Sequence, residues 1–147
     1  MAATRRADVT WEGDLMSGGG VVTASASRAF SALPVSWASR TDTPRGQTSP
    51  EELVAAAHAS CFAMALSGGL AGAGKPPKKL EVSATVTFDK VEAGWRVISS
   101  ALTVRGVVPG MDTAGFRKAA DAAKDGCPIS QALRGNVKLS VEATLVS

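Results

Sequence analysis

The sequence predicts an α+β fold with mainly antiparallel sheets and two main helices, arranged as strands, helix, strands, helix, strand. Three observations carry this: a capped helix begins at Ser49 and is charge-free from Leu53, clean apolar alternation runs over Leu80–Phe88 and again to Leu145, and two such runs are joined by Glu92-Ala93-Gly94. At 147 residues the chain has room for one core and not two, so a single domain over 1–147 is expected. It shows neither an internal repeat nor a linker.

Taken in order, Ala7–Asp14 reads as a strand entering a turn, and Gly18, Gly19 and Gly20 connect it to a second strand over Val21–Arg28. The pair reads as a hairpin. Residues 30–48 lack a period and carry Pro34, Pro44 and Gly46, so they read as a long loop, which also holds Arg40 and Arg45. Ser49 can cap the following helix, Pro50 fits its first turn and Glu52 completes a Ser-x-x-Glu capping box. The helix runs to about Gly68 and, being apolar on all sides, should be buried on most of them. Trp95–Val107 returns against Leu80–Phe88, and Pro109-Gly110 stops it. A second, amphipathic helix starts at Asp112 or Thr113 and ends at Gly126, which suits a left-handed C-terminal position. Pro128 opens a short helix to about Leu133, and Val137–Leu145 closes the chain as a strand.

Composition narrows the function classes. Net charge is +3, but the basic residues are scattered, which argues against nucleic acid as a partner. The N-terminus lacks the apolar core of a signal peptide, so a cytoplasmic location is expected and a purely structural disulfide is not. From Leu53 to Gly74 no residue is charged, long enough to span a bilayer; four glycines, many alanines and His58 point instead to a buried helix and no membrane. Aromatic residues make up only 5%, so the core must rely on close backbone approach or on burial by a partner subunit.

The two cysteines, Cys61 and Cys127, are 66 positions apart and form no CxxC motif. Each has a plain structural reading, Cys61 as an inert core thiol and Cys127 as part of a helix-loop-helix joint. Cys127 before Pro128 can also sit at a helix N-cap, where amides and dipole favour a thiolate. His58 shares a face with Cys61, which allows a His/Cys/Cys metal site, although a satisfied interior histidine suits the sequence better.

The run Pro50-Glu51-Glu52-Leu53-Val54-Ala55-Ala56-Ala57-His58-Ala59-Ser60-Cys61-Phe62 and the run Gly126-Cys127-Pro128-Ile129-Ser130-Gln131 resemble the OsmC/Ohr family of bacterial peroxidases. Trp11-Glu12-Gly13-Asp14 and Val108-Pro109-Gly110-Met111-Asp112 add to the match, and His58 with Ile129-Ser130-Gln131 resembles the OsmC branch. The resemblance implies an intertwined homodimer and thiol-dependent reduction of organic hydroperoxides, with hydrogen peroxide as a further substrate. Cys61 would be the nucleophile, Cys127 the resolving thiol, Arg40 the activating cation with Arg45 its rival, and Glu51 its orienting carboxylate. No bound cofactor or metal is implied, only an external dithiol reductant of lipoyl or similar type. The alternative is a non-catalytic stress protein binding an apolar ligand or a metal in the same pocket.

Glu51 and Cys61 are ten residues apart on one helix, roughly 15 Å of rise. One arginine cannot easily bridge them within a chain, so two helices packed antiparallel across a two-fold axis, with composite sites, are expected.

Overall fold

Alternating apolar residues dictate the largest feature of the computed structural model, which describes Met1–Ser147 in two compact units, Met1–Leu53 and Val54–Ser147. In the second unit β4 (Lys79–Val91) and β5 (Gly94–Val107) form a long antiparallel hairpin, and β6 (Lys138–Leu145) adds to β5. Leu80, Val82 and Ala84 of β4 and Val141, Ala143 and Leu145 of β6 face one core, while their neighbours face outward. That is the period-two pattern of a sheet covered on one side. The β5–β6 pairing is parallel, made possible because α3 (Thr113–Gly126) and α4 (Pro128–Leu133) form the crossover.

Helix α2 (Pro50–Gly72) supplies the other wall of this core through His58, Phe62, Leu66 and Leu70, one stripe at four-residue spacing. It extends four residues beyond the expected end, because Gly68 and Gly69 continue the helix instead of loosening it. Burial on most sides does not occur within the chain: Met64 is 73% exposed. By length and composition α2 could cross a membrane, yet its buried stripe packs with Leu102, Val104, Phe116 and Ala120 in the unit's core.

The scarcity of aromatic residues is met by close backbone approach at Gly106, where an added Cβ would lie 2.5 Å from the ring of Phe116, itself fully buried. Gly106→Ala is therefore expected to cost about 1–3 kcal/mol of stability. A urea midpoint unchanged by the substitution would refute this.

In the first unit β1 (Asp8–Glu12), β2 (Gly19–Thr23) and β3 (Leu33–Val35) form a three-stranded antiparallel sheet in that order. The hairpin is as expected, but β2 begins two residues earlier than Val21 and ends at Thr23. The chain then turns, with Arg28 donating its amide to Ala24 and holding a positive φ.

The expected long loop is partly regular. It contains β3 and a short helix, α1 (Trp37–Thr41), whose N-cap Ser36 forms a reciprocal capping box with Ser39. The box expected at α2 is only half made: Ser49 Oγ accepts the Glu52 amide, but the Glu52 carboxylate takes the Thr48 hydroxyl at 2.8 Å. Gly126 also departs from expectation. It keeps helical geometry, and Cys127 both ends α3 and N-caps α4.

Candidate active site

Two groups of candidate residues emerge, one in each unit. In the first unit the short helix α1 presents Arg40 toward the start of α2. Its position is fixed by Ser39, whose hydroxyl donates to the Thr48 carbonyl at 2.9 Å, and by Ser36, whose hydroxyl donates to Gln47 at 2.8 Å. Arg40 Nε lies 3.0 and 3.1 Å from the two Glu51 oxygens, and its Nη2 lies 2.8 Å from Oε1. This is a forked, charge-assisted contact of the kind a guanidinium makes and an ammonium cannot. Glu51 is 7% exposed. The guanidinium carbon also lies 5.9 Å from the centroid of the Trp37 ring. Arg45, the rival arginine, stands exposed at φ 51° on the turn before α2. Glu51 thus pairs with Arg40.

Beside this pair lies an apolar cleft of about 340 Å³, walled by Val9, Trp11, Val22, Trp37 and Leu53, with Arg40 on its edge. Trp11 belonged to a motif in the sequence, but nothing there placed it near Arg40. The strand register Trp11↔Gly20 and the α1 capping box do so, and neither is written as a motif.

In the second unit Cys61 of α2 and Cys127 at the α3–α4 junction are both free thiols, Cys127 buried and Cys61 partly so. Residues 66 positions apart are brought together because α2 and α3 line the same core. Each thiol is close enough to act on the other. Burial pushes the Cys61 thiol up, and donation of its S–H toward Cys127 adds to that rise; the Ile129 amide opposes it. Burial also works against ionising Cys127, but there it is outweighed. The Cys61 thiol, the amide and hydroxyl of Ser130 and the Ile129 amide together lower Cys127. Cys127 is the N-cap of α4 without a close side-chain cap bond, so these groups act on its sulfur mainly electrostatically.

His58, one turn before Cys61, is fully buried, and burial lowers it, so the ring is neutral. Nδ1 lies 2.6 Å from Ser100 Oγ and Nε2 lies 2.7 Å from Ser130 Oγ. Both nitrogens are engaged, which is the satisfied interior histidine the sequence favoured over a metal ligand. Ser100 had escaped notice: it sits in β5 opposite Val86, and its facing to α2 is a matter of packing alone.

The OsmC family model, described as OsmC-like protein, matches residues 42–142. The chain belongs to the OsmC-like family. The match contains Glu51, Cys61 and Cys127, and begins just after Arg40. This OsmC-like protein is 38% identical over 142 residues to Peroxiredoxin OsmC of Escherichia coli K12, covering 97% of this chain and 98% of that one. It is 33% identical over 95 residues to an organic hydroperoxide resistance protein of Xanthomonas axonopodis pv. citri, covering 64% and 65%. Among solved structures it is similar to the organic hydroperoxide resistance protein OhrB of Bacillus subtilis, with TM-score 0.72, 26% identity and coverage of 95% and 98%. An OsmC-like protein of Mycoplasma pneumoniae shares the fold at TM-score 0.76 and 14% identity, over the whole of both chains.

Proposed function

We propose that this OsmC-like protein is a cysteine-based peroxidase that reduces organic hydroperoxides through Cys61 and Cys127. The observation that carries the reading is the closeness of the two thiols within a fold whose relatives are a peroxiredoxin and organic hydroperoxide resistance proteins. The Cys61 thiolate attacks the distal peroxide oxygen and the O–O bond breaks. The alcohol leaves, and Cys61 becomes a sulfenic acid. Cys127 then displaces the hydroxyl as water, giving a Cys61–Cys127 disulfide that guards against over-oxidation. A thiol reductant restores both thiols by exchange, and a lipoyl-type or other small dithiol fits this requirement. The cycle uses no resident cofactor. A cytoplasmic setting suits a centre that must return to the reduced state.

In this reading Arg40 holds the Cys61 thiolate and polarises the peroxide, while Glu51 orients its guanidinium. Burial and the Cys127 thiol both raise Cys61, so the nucleophile needs a cation to become a thiolate. Ten residues of helix rise separate Glu51 from Cys61, roughly 15 Å. The cation is therefore assigned to a second copy of the chain, in a homodimer with composite sites. Residues 1–147 then act as one domain that supplies both the Arg40 cation and the two thiols. Exposed Val9, Leu15 and Met64 give such a dimer apolar surface to bury. The cleft beside Arg40 would take the alkyl part of the hydroperoxide.

Thiol counting with peptide mass mapping, after one equivalent of cumene hydroperoxide, tests the cycle. Both thiols should disappear together, with a Cys61–Cys127 disulfide in the map. Two intact thiols would defeat the peroxidase reading.

A further inference from the structure

Three polar side chains are fully buried in the second unit: His58 in α2, Ser100 in β5 and Ser130 in α4. They come from three separate elements and meet only at the imidazole. Polar groups in a core need partners, and even when partnered they gain little over apolar filling. Phe62, Leu66, Leu102 and Val104 in the same core show that apolar filling is available. The peroxidase cycle proposed above leaves this cluster without a task.

Its geometry leads to Cys127. Ser130 is the third residue of α4, the helix that Cys127 caps, so the two share its first turn, where the N-cap and third-residue side chains lie side by side; the Ser130 amide and hydroxyl also favour the ionised form of Cys127. The same hydroxyl oxygen lies 2.7 Å from His58 Nε2. The ring, the Ser130 hydroxyl and the helix turn capped by Cys127 therefore follow one another in the core.

We infer that His58 and Ser130 are positioning residues for Cys127: the ring fixes the Ser130 hydroxyl, and that hydroxyl holds the Cys127 sulfur aimed at Cys61. The inference rests on the peroxidase reading and assigns parts to two residues that reading does not use. A neutral imidazole has one donor and one acceptor nitrogen, so its tautomer decides which way Ser130 points. With the proton on Nε2, the ring donates to Ser130 Oγ, and the hydroxyl hydrogen is directed at a Cys127 thiolate. With the proton on Nδ1, donated to Ser100, Ser130 donates to Nε2 and its oxygen receives the Cys127 S–H. The ring stays neutral in both states, as its burial requires.

The step served is balanced. The Cys127 sulfur attacks the sulfenic sulfur of Cys61; the S–S bond forms and the S–O bond breaks. Cys127 is oxidised by one level and Cys61 reduced by one. The Cys127 thiol proton leaves with the hydroxyl as water.

The test follows Cys61 sulfenic acid by dimedone trapping, and disulfide formation by mass spectrometry, after a single addition of cumene hydroperoxide. Ser130→Ala should slow conversion of sulfenic acid to disulfide about tenfold, the scale expected when a dipole beside a reacting sulfur is removed. The rate of sulfenic acid formation should not change. His58→Leu should do the same, and Ser130→Thr, which keeps a hydroxyl, should restore most of the rate. Ser100→Ala removes the other contact to the ring without facing Cys127, so it should lower the melting temperature as much as Ser130→Ala while leaving the resolving rate within about twofold. Equal slowing by Ser100→Ala and Ser130→Ala would assign the cluster to stability alone and overturn the inference. So would a wild-type resolving rate in Ser130→Ala. If the unaltered protein forms no Cys61 sulfenic acid, the peroxidase reading fails first, and this one with it.

Discussion

Cys61→Ser is expected to lower hydroperoxide turnover by on the order of a thousandfold or more, leaving the fold intact. A serine hydroxyl at the Cys61 position is a far weaker nucleophile than a thiolate, and its oxygen cannot pass through a sulfenic acid. The substitution removes both chemical steps at once. Its structural cost should be small, because Cys61 is only partly buried and packs at the margin of the core. Cys127→Ser separates the steps. It should keep one rapid turnover per chain and then stall, with Cys61 trapped as sulfenic acid or driven to sulfinic acid by excess peroxide. The measurement is peroxide consumed per chain, in single and multiple turnover, with a dithiol present. Sustained turnover by Cys61→Ser would remove the nucleophile from the reading and leave the alternative of a ligand-binding protein standing.

Much of this was legible in the sequence, for identifiable reasons. The strands around Leu80, Val104 and Leu145 announce themselves because one face is wet and the other dry, which forces alternation. The α2 start was legible because Ser49, Pro50 and Glu52 each answer a local demand of a helix N-terminus, although the last half of the box went to Thr48. What could not be read was tertiary. Helix α1 is a single turn closed by serines, too short for periodicity, and it decides that Arg40 meets Glu51 while Arg45 faces solvent. The parallel seating of β6 on β5 follows from the α3–α4 crossover and not from any residue within β6. The partners of His58 were invisible for the same reason, since Ser100 lies 42 residues away in sequence. Local chemistry marked the cysteines and the caps; long-range packing set their surroundings.

Arg40→Met is expected to lower kcat/KM for cumene hydroperoxide about a hundredfold, the usual scale for removing a group aimed at developing charge. The side chain is close in volume to the arginine stem, so the cleft beside Trp37 keeps its shape and the change isolates the guanidinium. Arg40→Lys should recover little of the loss. Its ammonium cannot reproduce the fork that holds Arg40 on both Glu51 oxygens, and so cannot be aimed in the same direction. Arg45→Met should stay within about twofold of the unaltered protein, as expected for an exposed loop charge. A hundredfold loss in Arg45→Met, with Arg40→Met active, would reverse the assignment. Mixing then tests where the arginine acts. If sites are composite, a dimer of one Cys61→Ser chain and one Arg40→Met chain has one site with both groups intact and one with neither. Chains unfolded together and refolded at equal amounts should regain roughly a quarter of wild-type activity, because half of the dimers are mixed and each has one working site. If Arg40 serves the cysteine of its own chain, no mixture can work, since every site then lacks one group or the other. That outcome would leave the peroxidase chemistry in place and require the helix to be bridged within one chain.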